Sequence, residues 1–187
     1  MQTMSAIKAA QLLLKEKVKS AAVLLDGTAG NGGDTLFLAK NAPPDAKIYA
    51  FDIQSAAISQ AKETLAAAGF YDRVEFILAS HADLDKYILE KIDAAIFNLG
   101  YLPRSSHAIT TLGKTTLQAV EKVLEKLSVN GAVAITAYLG HSEGAAENEK
   151  LAAYLKNLSK SEFVAAQYKM INHADNAPIC YVIERVK

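Results

Sequence analysis

Asp26-Gly27-Thr28-Ala29-Gly30-Asn31-Gly32-Gly33-Asp34-Thr35 places four of the chain's ten glycines between Gly27 and Gly33. A β-rich run, Ala22 to Asp26, leads into this stretch, and a helical pattern, Thr35 to Lys40, leads out of it. Glycine lets backbone N–H groups approach a bound molecule closely, and the start of a helix adds further unpaired N–H groups. Strand, glycine turn and helix in that order therefore read as a binding loop. The spacing is neither the G-x-G-x-x-G of dinucleotide sites nor the G-x-x-x-x-G-K-[ST] of phosphate loops.

Outward from the loop the same rhythm repeats. Lys47 to Asp52, Val74 to Ala79, Ala94 to Asn98 and Ala132 to Tyr138 are short apolar runs that read as buried strands. Helical patterns lie between them: Ser55 to Ala68 closes at Gly69, and Thr115 to Leu127 aligns Leu117, Val120, Leu124 and Leu127 on one stripe. Alternating strands and helices predict a parallel sheet with helices on both faces. The tail departs from this: Phe163 to Met170 and Ile179 to Val186 are joined only by INHADNAP, too short for a parallel crossover. The expectation is an α/β, Rossmann-like fold with a seven-stranded, mostly parallel sheet ending in an antiparallel hairpin.

The chain has 187 residues, 51% of them hydrophobic, and no linker or repeat divides it, so residues 1–187 are expected to form one domain. Residues 1–20 interleave lysines with apolar residues and read as an amphipathic helix rather than a signal peptide. No apolar run reaches membrane-spanning length. Twenty Lys+Arg balance twenty Asp+Glu, which argues against a broadly basic nucleic-acid binder. The lone Cys180 suits a reducing, cytoplasmic setting.

Two acids narrow the ligand. Asp26 ends the first strand, where a carboxylate repels pyrophosphate but accepts hydrogen bonds from an ammonium group. Asp52 ends the second, 22 residues after Gly30, where an acid commonly holds both ribose hydroxyls. A ligand with a ribose and a cationic amino-acid part, without phosphate, is S-adenosylmethionine. D-x-T-x-G-N-G with an acid ending the second strand resembles the class I S-adenosylmethionine-dependent methyltransferases, whose sheet also ends in an antiparallel hairpin. That resemblance implies Gly30, Asn31, Gly32 and Gly33 around the methionine part, with Asp26, Thr28 and Asp34 in the same donor-binding set. It puts Asp52 on the ribose and Gln54, Ser80 and His81 beside the adenosine.

Asn98-Leu99-Gly100-Tyr101-Leu102-Pro103 begins where the fourth strand ends, on the side where open α/β sheets bind ligands. It resembles the Asn/Asp-Pro-Pro-Tyr loop of amino-directed methyltransferases, with Leu99-Gly100 replacing Pro-Pro. By that resemblance Asn98 and Tyr101 are catalytic: the Asn98 side chain and the Leu99 carbonyl accept from the target amine, and Tyr101 stacks on the substrate. Five ordered motifs extend the likeness: DGTAGNGGDTLFLAK, YAFDIQSAAI, FNLGYLP with His107, Y-x-G-H-x-E-G from Tyr138 to Gly144, and N-x-x-x-N-x-P before the last strand. Together they resemble the MnmM transfer-RNA methyltransferases, a bacterial family earlier labelled putative rRNA methylase. Arg104-Ser105-Ser106 and Ala177-Pro178 depart from the family pattern and bear on substrate-loop contacts.

The resemblance implies methylation of the amine of 5-aminomethyl-2-thiouridine at the wobble position of a tRNA anticodon stem-loop. Leu99, Gly100, Arg104, His107, Tyr138 and His141 are the substrate-binding candidates. In-line transfer to an uncharged amine needs alignment more than a strong base, so neither a metal nor a covalent intermediate is expected. His81, His107, His141 and His173 are too widely spaced, without a cysteine partner, to suggest a zinc site. Tyr101, Tyr138 and Tyr168 are candidates for base stacking. Lys8, Lys15, Lys17 and Lys19, with Arg104 and Lys114, are candidate phosphate contacts. Competing readings are a methyltransferase of the same fold acting on rRNA or a small-molecule amine, a nicotinamide-dependent oxidoreductase, and a non-catalytic donor-binding domain. A homodimer is a further expectation, since so short a chain must build recognition from its loops, its first helix or a second subunit.

Overall fold

A computed structural model describes residues 4–99, 113–140 and 142–187. The chain begins with α1 (Ala6–Val18), whose Ser5 side chain caps the Lys8 N–H, and continues through β1 (Val23–Asp26), α2 (Gly33–Asn41), β2 (Lys47–Asp52) and α3 (Ser55–Ala67). Then come β3 (Val74–Leu78), β4 (Ile92–Leu99), α4 (Gly113–Lys126), β5 (Leu127–Ala137), α5 (Ser142–Lys156), β6 (Phe163–Tyr168) and β7 (Ile179–Arg185). The strands form one sheet in the order β3-β2-β1-β4-β5-β7-β6. The first five strands pair in parallel, and β7 runs antiparallel to both β5 and β6.

Alternation along the strands builds a core on each face. Leu25, Phe51, Phe97 and Ile135 pack on one face with Val120, Leu124 and Leu151 from α4 and α5. Leu24, Ile48, Ile96 and Ala134 pack on the other with Leu14 of α1 and Leu38 of α2. Of the expected stripe, Val120 and Leu124 are buried on α4 and Leu117 is half-buried, while the buried Leu127 is the first residue of β5. Cys180 is a free, buried thiol, and burial pushes its pKa up to about 11. No helix among the described residues is long and apolar enough to cross a membrane.

The architecture expected from the sequence is present, with differences at the edges. Strand β4 starts earlier and β5 much earlier than their apolar runs, because Ile92 pairs with Leu127 before the register shifts at Ala94. Helix α5 and the two 3-10 turns, Tyr71–Arg73 and His81–Lys86, were not read from the sequence. Alanine and charge dominate α5 and blur its stripe, although Leu151 and Leu155 are buried. Strand order reverses between β1 and β4, and the crevice beyond the carboxyl ends of two such strands is where open α/β sheets bind ligands.

Candidate active site

The glycine turn sits in that crevice, and its conformation explains its composition. Gly30 (φ 51°) and Gly32 (φ 83°) both occupy the left-handed region, where a side chain is strained. A Cβ on Gly32 would also lie 2.9 Å from the Ala61 Cα, so α3 packs against bare backbone there. Gly33 opens α2, and its N–H donates to Asn31 Oδ1 at 3.2 Å. The turn therefore faces the crevice mostly as backbone.

Asp26 behaves differently from expectation. It is fully buried, and its carboxylate accepts from the Thr28 N–H at 3.0 Å and the Thr35 hydroxyl at 2.6 Å. Burial first and the neighbouring Asp34 charge second push its pKa up to about 7, against those two hydrogen bonds. These bonds make Asp26 the organiser of the turn. Thr28 is also committed: its hydroxyl accepts the Asn98 N–H at 2.7 Å, tying β1's turn to the end of β4.

Asp52 stands at the mouth, half-buried. Its oxygens accept from the Gly30 N–H at 3.0 Å and the Gln54 N–H at 2.9 Å, which leaves lone pairs facing outward. Gln54 precedes α3 beside it, and Ser80 caps the following 3-10 turn by accepting from the Ala82 N–H. His81 lies deeper than expected. Its Nδ1 meets the Gly27 carbonyl at 3.0 Å, its ring packs edge-on against Phe97, and burial lowers its pKa. His81 therefore braces the turn from beneath through Nδ1, and its Nε2 has no partner among the described residues.

Asn98 and Asp34 share the face of the sheet that α1 and α2 cover. Asn98 Nδ2 donates to Asp34 Oδ2 at 3.5 Å, and Gln11 of α1 donates to Asp34 Oδ1 at 2.7 Å. Asn98 Oδ1 is buried with no partner among the described residues. Tyr138 lies just past β5 near Asn98 and Asp34, and burial first and the Asp34 charge second raise its pKa, against the lowering effect of the Asn98 side chain. The Leu99 carbonyl, expected to receive the amine, accepts the Tyr138 N–H at 3.3 Å and keeps a second lone pair. Gln11 is the participant that sequence reading missed. Nothing in the pattern of α1 marks it, because its partner is 23 residues away in sequence.

Among the described residues, none of Asp26, Asp34 and Asp52 forms an ion pair with a lysine or arginine. Asp34 and Asp52, without a protein cation among the described residues, make the crevice complementary to positively charged ligands. Gly100, Tyr101, Arg104, His107 and His141 lie outside the described residues. Other candidates are accounted for elsewhere: Lys17 pairs with Glu184 at 2.5 Å, Lys19 with Glu16 at 2.7 Å, and the Tyr168 hydroxyl donates to the Met4 carbonyl. His173 is exposed in the β6–β7 connection. An open concavity lined by Pro44, Lys47, Tyr49, Arg73 and Glu75 lies by the strand starts, away from this chemistry.

A parallel sheet with this switch-point turn, an acid ending β2 and an antiparallel β7 defines a class I S-adenosylmethionine-dependent methyltransferase. The profile of the family described as "Putative rRNA methylase" matches residues 48–184, and the chain belongs to that family of S-adenosylmethionine-dependent enzymes. A structure described as a putative rRNA-methylase from Clostridium thermocellum superposes with TM-score 0.95 at 34% identity, covering 99% of this chain and 100% of that one. A putative methyltransferase from Streptococcus mutans, in complex with S-adenosylhomocysteine, gives TM-score 0.89 at 34% identity over 98% and 99% of the two chains. The Arabidopsis thaliana chloroplastic tRNA (mnm(5)s(2)U34)-methyltransferase is 28% identical over 190 residues, 96% of this chain and 69% of the plant protein.

Proposed function

We propose that the protein transfers a methyl group from S-adenosylmethionine to the primary amine of 5-aminomethyl-2-thiouridine at the tRNA wobble position, giving 5-methylaminomethyl-2-thiouridine. One observation carries the amine-directed part: Asn98 Oδ1 is a buried acceptor with no partner among the described residues, at the end of β4 beside carboxylates that lack a cation. An amine N–H supplies the hydrogen bond that oxygen lacks. The likeness to the plant tRNA enzyme supports the choice of nucleoside.

The donor fits the other half of the crevice. The Gly30–Gly33 turn, which presents no bulky side chain, would border its amino-acid end, and Asp52 would accept from its ribose hydroxyls. The Gln54 and Ser80 region would border the adenine. When bound, the donor supplies an electrophilic methyl on a sulfonium. The protein's contribution is alignment: Thr28 fixes the Asn98 backbone to the same turn that would hold the donor, so acceptor and donor subsites move as one unit. Gly100, Tyr101, Arg104, His107 and His141 remain assigned to the nucleoside and its RNA.

The family description favours a second reading, an rRNA substrate. Nucleoside mass spectrometry of tRNA from a deletion strain separates the two. The wobble reading predicts accumulation of 5-aminomethyl-2-thiouridine and its conversion when purified protein and donor are added. Unchanged tRNA nucleosides, with an rRNA methyl group lost, would overturn it.

A further inference from the structure

We propose, building on the amine-methylating reading above, that Asp34 receives the substrate ammonium and takes its proton before methyl transfer, with Gln11 as the positioning residue. This moves Asp34 from the donor-binding set to the acceptor side of the crevice.

The geometry favours that side. A primary alkylammonium offers three N–H donors, and the resemblance to amino-directed methyltransferases implies Asn98 Oδ1 and the Leu99 carbonyl as acceptors. The Leu99 carbonyl already accepts the Tyr138 N–H and Asn98 Oδ1 has no partner among the described residues, so a further acceptor beside them would complete the set. Asp34 Oδ2 is that neighbour, because it accepts from the Nδ2 of the same Asn98 amide at 3.5 Å. The Gln11 amide, 2.7 Å from Oδ1, holds the carboxylate in place from α1. Asp34 is 8% exposed, so it is sheltered from water and yet pairs with no cation among the described residues. Asp26 is completely enclosed by the turn, and Asp52 is engaged by the Gly30 and Gln54 N–H groups at the β2 end, which leaves Asp34 for the amine.

The chemistry balances. An ammonium N–H bond breaks as a carboxyl O–H bond forms on Asp34, which frees the nitrogen lone pair. That pair forms the new N–C bond while the C–S bond of the donor breaks and its electrons stay on sulfur. The product is a secondary ammonium, and the Asp34 proton leaves to solvent as product departs, before the next ammonium binds. Burial raises the Asp34 pKa, against the opposing hydrogen bonds from Gln11 and Asn98, so the carboxylate is a better proton acceptor than an exposed aspartate. The titratable groups facing it among the described residues are Asp26 from β1 and the Tyr138 phenol beyond β5; α1 and β4 present the neutral Gln11 and Asn98 amides.

Asp34→Asn tests this with a tRNA anticodon stem-loop carrying the aminomethyl nucleoside. Near pH 7 the variant should lose about 10²- to 10³-fold in kcat/KM, the range of proton-transfer catalysis. The deficit should shrink toward about tenfold near pH 9.5, where the free-amine fraction has risen more than about a hundredfold over that at pH 7. Binding gives a second readout: wild type should prefer the aminomethyl stem-loop over a plain 2-thiouridine one by about tenfold or more, and the variant should lose that preference. S-adenosylhomocysteine affinity should stay within about threefold, which also reports that the variant is folded. Gln11→Leu removes a hydrogen bond that favours the charged carboxylate, so it should move the acid limb of the wild-type pH profile upward.

A deficit that is the same at every pH, an unchanged stem-loop preference, or a collapse of S-adenosylhomocysteine affinity would each assign Asp34 a structural or donor-binding role and overturn the proposal. Wild-type protein inactive on the aminomethyl stem-loop would instead sink the wobble-amine reading, and the proposal with it.

Discussion

Replacing Asp26 with asparagine should stabilise the protein above neutral pH, although it removes a carboxylate from the centre of the signature turn. Asp26 is fully buried, and burial together with the Asp34 charge raises its pKa from 3.8 to about 7. The unfolded chain releases that proton near pH 4, whereas the folded chain holds it until about pH 7. The favourable contribution of the protonated group is therefore complete below about pH 4 and is lost as pH rises to about 7. Between pH 5 and pH 8.5 this costs wild type roughly 1.3–2.7 kcal/mol, at about 1.36 kcal/mol per unit over the one to two units that lie between pH 5 and the folded pKa. Asparagine is neutral throughout. Its oxygen still accepts the Thr28 N–H, and the Thr35 hydroxyl can rotate to accept from its NH2 group. Urea unfolding at the two pH values measures the difference. With a slope of about 2 kcal/mol/M, the midpoint of Asp26→Asn should gain roughly 0.6 to 1.3 M on wild type between pH 5 and pH 8.5. A gap that stays constant with pH, or widens against the variant, would show that Asp26 is ionised and stabilising in the turn and would refute the reasoning.

Three other substitutions probe the frame of the site. Gly32→Ala forces a left-handed φ of 83° on a side chain whose Cβ would sit 2.9 Å from the Ala61 backbone; it should cost at least about 1–2 kcal/mol and lower Tm by roughly 3–8 °C in a calorimetric scan. Asp52→Ala strips the acceptors from the Gly30 and Gln54 N–H groups and from the proposed ribose contact, so S-adenosylhomocysteine should bind about tenfold or more weakly by titration calorimetry. Arg73→Ala should cost about 1–3 kcal/mol in urea unfolding while donor affinity stays unchanged, since its guanidinium binds the Ala39, Ala42 and Pro43 carbonyls where α2 ends, away from the crevice. Lysine at the same position should recover little, because one ammonium cannot reproduce the guanidinium fork.

Much of the fold was legible because its signals are local. The glycines of the 26–35 turn, the apolar runs that became β1 to β5 and the brevity of the link before β7 each report on a few consecutive residues. The misses share the opposite property. Helix α5 carries only Leu151 and Leu155 as clear buried apolar markers amid alanine and charge, and the extension of β5 back to Leu127 depends on pairing with Ile92. At the site, spacing along the chain placed Asp26, Asp52 and Asn98 at strand ends, where the structure has them. It could not tell a carboxylate that faces a ligand from one spent inside the turn, since that depends on which donors the fold brings near.

The sequence by itself determined that this chain is a parallel α/β sheet with a glycine turn and an acidic crevice for a donor that carries a ribose and positive charge. Those properties reside in residue type and short-range order. Only the tertiary structure decided how the acids divide their work. Asp26 is enclosed by Thr28 and Thr35, Asp52 is left at the mouth, and Asp34 is gripped by Gln11 from α1 and Asn98 from β4. The physical reason is that a carboxylate's chemistry is set by its burial and by the donors within hydrogen-bonding distance. Here those donors come from segments as much as 64 residues away along the chain.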